Sequence, residues 1–151
     1  GAAARAVGVE LALAGSADFT VVNRSPERGQ ELVQLLEDKL KVPARFAAWQ
    51  GDYCVAEETD LLINATGIGT GGLEGPVPLD LRSLRPHMVV AEVIVNPPET
   101  RLLRDAARCG CPTLRGLALL VQQGAISFKI WTGVDPDIGV MREALEEYLE
   151  L

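Results

Sequence analysis

Apolar residues in this chain gather into short blocks, and longer amphipathic stretches separate one block from the next. Residues 2–14 are small and apolar along one face and run up to Gly15, which predicts a helix with a glycine stop. An apolar run then begins at Phe19 and predicts a strand over 19–23. Leu32, Leu35, Leu36 and Leu40 lie on one helical stripe and predict a helix over 26–40. Arg45 to Trp49 predicts a short strand, Asp60 to Asn64 a buried one, and Met88 to Ile94 another. Between the last two, 67–87 carry several Gly and Pro and predict a loop with little regular structure. Helix 99–108, a short strand near 112–114, helix 117–131 and a last amphipathic helix over 136–150 complete the pattern. Strands separated by helices predict an α/β fold, a doubly wound parallel sheet with helices on both faces and right-handed crossovers.

Composition narrows the class. The 151 residues suit one domain, and 48% hydrophobic content with only 5% aromatics leaves Val, Leu, Ile and Ala to build the core. Small aliphatic cores of this kind are those of parallel sheets covered on both faces. A net charge of −7 argues against nonspecific nucleic-acid binding, and no apolar run is long enough to span a membrane. Cys54, Cys109 and Cys111 form no disulfide framework, which fits a reducing, cytoplasmic setting. Cys109-Gly110-Cys111 lacks the second ligand pair that a zinc site needs, so no metal is expected.

The most informative chemistry follows the strand at 19–23. Asn23-Arg24-Ser25 ends it, Pro26-Glu27 follows, and Arg28 comes one residue later. In a dinucleotide-binding βαβ unit the end of the second strand faces the adenosine ribose. A carboxylate there accepts the ribose 2′-OH of NAD, and an arginine favours the 2′-phosphate of NADP. Here there is no carboxylate, and two guanidiniums stand beside a hydroxyl and an amide, a set suited to charge-assisted phosphate recognition. The same residues also read as an ordinary helix start, with Ser25 as cap, Pro26 at the first position and Glu27 in the first turn. The small-residue helix before the strand begins at Gly1, where a glycine-rich turn would present the helix N-terminus to a pyrophosphate. The first strand and opening glycine of such a unit do not precede it, so the expectation is a piece of a longer polypeptide.

Three further stretches lie where a doubly wound sheet holds its ligands. Asn64-Ala65-Thr66-Gly67-Ile68-Gly69 follows a buried strand, and Ala91-Glu92-Val93-Ile94-Val95-Asn96-Pro97-Pro98 passes from strand to helix. Gly116 to Ala125 places Gln122 and Gln123 inside an otherwise apolar helix, where adjacent positions point about 100° apart and only one need face a cleft.

Together these motifs resemble the nucleotide-binding and C-terminal part of the shikimate dehydrogenases. The matching stretches are Gly1 to Val7, Asn23-Arg24-Ser25 with Arg28, Asn64-Ala65-Thr66, Gln123-Gly124-Ala125 and Trp131-Thr132-Gly133. The resemblance implies a Rossmann-like NADP-binding domain over 1–151 with C-terminal helices, and a substrate and catalytic domain upstream of it. It implies that Gly1, Ala2 and Ala3 receive the pyrophosphate, and that Asn23, Arg24, Ser25 and Arg28 hold the 2′-phosphate. Ala65, Thr66 and Val93 would meet the rest of the cofactor, with Gly116 and Leu119 near the nicotinamide. Gln123 would bind a substrate hydroxyl, while Gln122 is expected to face solvent.

Departures from the family pattern surround the substrate side. The family tyrosine is Val95 here, its aspartate is Glu92, its serine and methionine are Gly67 and Thr70, and a second methionine is Leu119. Cofactor choice is thereby better supported than substrate choice, and a quinate or aminoshikimate dehydrogenase paralogue stands beside shikimate dehydrogenase. The catalytic lysine and aspartate of the family belong to the upstream domain, and none of Lys39, Lys41 and Lys129 matches their motif. No catalytic residue is therefore assigned. A non-catalytic nucleotide-binding module is the other class of function. Other NADP-dependent Rossmann enzymes, such as methylene-tetrahydrofolate dehydrogenase or glutamyl-tRNA reductase, lack the Gln123 to Gly133 stretch. The expected partners are a shikimate-like small molecule, the upstream domain and, as one further expectation, a second copy in a homodimer.

Overall fold

The structure is a computed structural model that describes residues 1–71 and 75–151. The chain divides into two compact units, 1–53 and 54–151.

In the first unit helix α1 (Ala2–Leu13) leads to strand β1 (Phe19–Asn23), helix α2 (Pro26–Gln34) and strand β2 (Ala44–Ala48). A π-helical turn over Leu35–Lys39 extends α2. β1 and β2 pair in parallel, with Phe19 opposite Ala44 and Asn23 opposite Ala48. Gly8 of α1 is buried, and a Cβ built on it would lie 3.6 Å from Leu36 and 3.7 Å from Leu32. The small residues of α1 thus let it lie close to the leucine stripe of α2 and its extension. Leu32 and Leu36 are buried, while Leu35 and Leu40 are only half-buried.

In the second unit strand β3 (Leu61–Asn64) is followed by β4 (Val89–Glu92), helix α3 (Arg101–Arg108), strand β5 (Thr113–Leu114), helix α4 (Gly116–Thr132) and helix α5 (Ile138–Tyr148). β4 lies between β3 and β5, and both pairings are parallel. Val90, Glu92 and Ile94 alternate onto one buried face, and Leu102, Leu103 and Ala106 bury the inner stripe of α3. Thr100 caps α3, its Oγ1 accepting from the Leu103 N–H at 3.3 Å. The Trp131-Thr132-Gly133 motif proves to be a helix end. Gly133 closes α4 at φ 72°, and Thr132 Oγ1 donates to the Phe128 carbonyl at 2.8 Å. Trp131 itself is 82% exposed.

Each of the ten expected strands and helices is present within a few residues of its expected bounds. The loop over 67–87 contains one three-residue 3₁₀ turn, Leu81–Ser83, and its residues 72–74 lie outside the described part. The fold class is the expected α/β one with parallel pairing. Among the described residues β1 has only β2 as a strand partner, and β3 has only β4.

Candidate functional site

At the carboxyl end of β1 the helix-start reading is fully realised. Ser25 is extended at φ −95° and ψ 111°, its Oγ accepts from the Arg28 N–H at 3.5 Å, and Pro26 begins α2. Asn23 braces the same turn, its Oδ1 accepting from the Ser25 N–H at 3.0 Å. Its carbonyl also accepts from the Trp49 N–H at 3.0 Å, which ties the end of β1 to the residue after β2. Arg24 and Arg28 flank this turn, and both are exposed. Neither takes part in any of the ion pairs found among the described residues. Two unneutralised guanidiniums beside an N-cap hydroxyl form an arrangement that suits a phosphate.

The start of α1 is also open. Gly1 caps it without a side chain, its carbonyl accepts from the Arg5 N–H at 3.1 Å, and Gly1, Ala2 and Ala3 are exposed. The leading N–H groups of a helix have no partner within it, which gives the position its affinity for anions.

In the second unit the ends of β3 and β4 meet at their last register pair, Asn64 opposite Glu92. Asn64 Nδ2 donates to Glu92 Oε1 at 2.8 Å and to the Ile68 carbonyl at 3.2 Å. Asn64 Oδ1 accepts from the Thr66 N–H at 3.1 Å and from the Thr66 hydroxyl at 2.7 Å. Thr66 Oγ1 in turn accepts from the Ile68 N–H at 3.1 Å. These bonds close the 64–68 turn into a ring that presents Ala65 and Thr66, both half-buried. Val93 is half-buried beside it, and its N–H donates to the Asn64 carbonyl at 3.3 Å.

Gly116 opens α4 and is buried against the backbone of Val93 and Ile94. Leu119, one turn on, is 44% exposed. Gln122 and Gln123 are both exposed, so burial does not separate the assigned substrate ligand from its neighbour. Val95 is half-buried.

Sequence reasoning passed over the Asn64–Glu92 pair. Glu92 is only 3% exposed, and its Oε2 has no hydrogen-bond partner among the described residues. The available signal was a carboxylate on the same two-residue period as Val90 and Ile94, a position where burial demands a partner.

The remaining titratable groups do not assemble a centre. Lys129 pairs with Asp135 at 2.7 Å on the surface. Burial pushes the Cys111 thiol up, and its Sγ lies 3.2 Å from the Arg85 carbonyl oxygen. Among the described residues no cluster of His, Cys, Asp and Glu could hold a metal ion, and no helix is long and apolar enough to cross a membrane.

Comparison with known proteins gives consistent relatives. Residues 116–146 match the family described as shikimate 5′-dehydrogenase C-terminal domain. The shikimate dehydrogenase (NADP(+)) of Methanopyrus kandleri is 38% identical over 99% of this chain and 52% of its own length. Ligand-free 5-ketofructose reductase of Gluconobacter superposes with a TM-score of 0.92 at 46% identity, covering 98% of this chain and 53% of its own. Shikimate 5-dehydrogenase of Listeria monocytogenes, in complex with shikimate and NAD, gives 0.85 at 30% identity over 96% of this chain and 53% of its own. The chain therefore spans about half the length of the curated relatives it matches.

Proposed function

Because the chain belongs to the shikimate dehydrogenase family, whose C-terminal part it matches, we propose that it is the NADP-binding portion of a shikimate dehydrogenase-type oxidoreductase. The complete enzyme would reduce 3-dehydroshikimate to shikimate with NADPH, a step toward aromatic amino acids. The observation that carries this reading is the pair of exposed guanidiniums at the end of β1, Arg24 and Arg28, which have no carboxylate partner among the described residues. Asn23 and Ser25 would complete the hold on the 2′-phosphate, and the start of α1 at Gly1, Ala2 and Ala3 would receive the pyrophosphate. Ala65, Thr66 and Val93 would line the middle of the cofactor, and Gly116 and Leu119 the nicotinamide. Gln123 would donate to or accept from a substrate hydroxyl. The bound cofactor supplies hydride chemistry, and the protein supplies position and proton traffic. Proton transfer requires a group within hydrogen-bond reach of the reacting oxygen, and that group would come from a substrate domain upstream in the same polypeptide. The enzyme would work in the cytoplasm.

A second reading of the substrate has its own support. The 46% identity to 5-ketofructose reductase exceeds the 38% and 30% to the shikimate dehydrogenases of Methanopyrus kandleri and Listeria monocytogenes, and Val95 stands where the family carries a tyrosine. A ketone on a different polyhydroxylated frame would then replace 3-dehydroshikimate, with the NADP half unchanged.

Both readings meet one experiment on the full-length polypeptide. NADPH and NADH oxidation is followed with 3-dehydroshikimate, 3-dehydroquinate and 5-ketofructose in turn. A marked NADPH preference supports the clamp, and the ketone that is turned over decides the substrate. Equal use of NADH and NADPH would remove the phosphate assignment, and binding without turnover of any ketone would leave the nucleotide-binding module.

A further inference from the structure

We propose that Glu92 is a positioning residue for the dinucleotide, fixing through the Asn64 amide the shape of the 64–68 turn against which the cofactor lies; this rests on the NADP-binding reading above. An asparagine amide has two donors and one acceptor oxygen with two lone pairs. Asn64 uses all of them, Nδ2 toward Glu92 and the Ile68 carbonyl, Oδ1 toward the Thr66 N–H and hydroxyl. The two ends of such an amide have nearly the same shape, so only its partners decide which way it faces.

Glu92 anchors the amide. The Ile68 carbonyl can only accept and the Thr66 N–H can only donate, so the backbone of the turn fixes Nδ2 as the end facing β4, and Glu92 Oε1 takes up its remaining hydrogen at 2.8 Å. Oδ1 then faces Thr66, whose hydroxyl must spend its only proton on Asn64 and is left as an acceptor for the Ile68 N–H. One acceptor on β4 thereby ties the amide at the centre of this turn to the neighbouring strand. The register makes this possible, since Asn64 and Glu92 are the last paired residues of their strands. Glu92 contributes this at a cost to the fold, because its second oxygen is buried and has no partner among the described residues. An apolar residue of the same size relieves that oxygen and leaves one Asn64 Nδ2 hydrogen without its acceptor.

These opposed effects separate positioning from folding. In the full-length polypeptide Glu92→Leu removes the stranded oxygen and strands one Asn64 Nδ2 hydrogen in its place, so the two effects offset and the thermal unfolding midpoint stays close to that of the unmodified protein. NADPH binding, measured by fluorescence titration, weakens about tenfold as the amide loses the acceptor that anchors it to β4. Glu92→Gln, whose carbonyl oxygen takes the place of Oε1, restores affinity to within about threefold. In a double-mutant cycle Glu92→Leu and Thr66→Val are strongly non-additive, since both act on one ring of bonds. Unchanged NADPH affinity in Glu92→Leu, or additive effects in the cycle, overturns the inference. If the unmodified protein binds NADPH no better than NADH but Glu92→Leu still weakens both, the phosphate clamp fails and the positioning role stands.

Discussion

Gly116 is pressed against the Ile94 carbonyl: a Cβ built on it would overlap the oxygen and lie 2.6 Å from the carbonyl carbon. Two backbones approach here with no room for any side chain, and the first turn of α4 is held beside the end of β4. Gly116→Ala must therefore push α4 away from Ile94. Overpacking of this kind costs ~1–3 kcal/mol, and chemical denaturation should show it. Because the displaced turn carries the proposed nicotinamide contacts, NADPH affinity should fall in the same variant.

Arg24 and Arg28 are expected to act on one phosphate and on nothing else. Arg24→Ala or Arg28→Ala removes a charge-assisted hydrogen bond worth about 1.5–3 kcal/mol, so NADPH affinity should drop roughly 10- to 100-fold. NADH affinity should hardly change, and the stability of the fold should be untouched, since neither side chain has an ion-pair partner among the described residues. Parallel titrations with the two cofactors check this directly.

Ser25 has two roles that one substitution can separate. Its Oγ caps α2 by accepting from the Arg28 N–H, and aspartate caps a helix about as well as serine. A carboxylate between Arg24 and Arg28, however, repels the 2′-phosphate. Ser25→Asp should keep the unfolding midpoint and weaken NADPH binding while leaving NADH binding nearly unchanged. Ser25→Ala should instead lose about 1 kcal/mol of stability with the cap.

The elements were legible because local signals and packing agree. Asn23, Ser25 and Pro26 mark the turn from β1 to α2, and Gly133 marks the end of α4; the structure uses each in that way. The π-helical turn at Leu35–Lys39 was not legible, because the leucine spacing there fits an α-helix equally well. Gly29 is a further case. A Cβ on it would run into the Phe46 ring, a close approach between α2 and β2 that no local pattern announces. The Asn64–Glu92 pair was hidden for the same reason. It joins residues 28 apart in sequence, and only strand register brings them together.

Cys111 gives a pH dependence whose sign can be worked out. Burial, with a smaller contribution from the neighbouring Cys109, holds its thiol above the ordinary value near 9. The folded chain therefore keeps the proton longer than the unfolded one. Below about pH 9 both states are protonated and the contribution to stability is constant. Above it the unfolded thiol ionises first, and stability falls until the pH has passed through the folded value, by at most about 1.4 kcal/mol per pH unit. Cys111→Ser keeps a donor for the Arg85 carbonyl but has no proton to lose in this range. Thermal unfolding of the two proteins from about pH 8 to pH 10.5 should give a steeper alkaline decline for the cysteine form. Equal slopes would mean that the thiol is as free to ionise in the folded protein as in the unfolded chain, and that its burial has no energetic consequence.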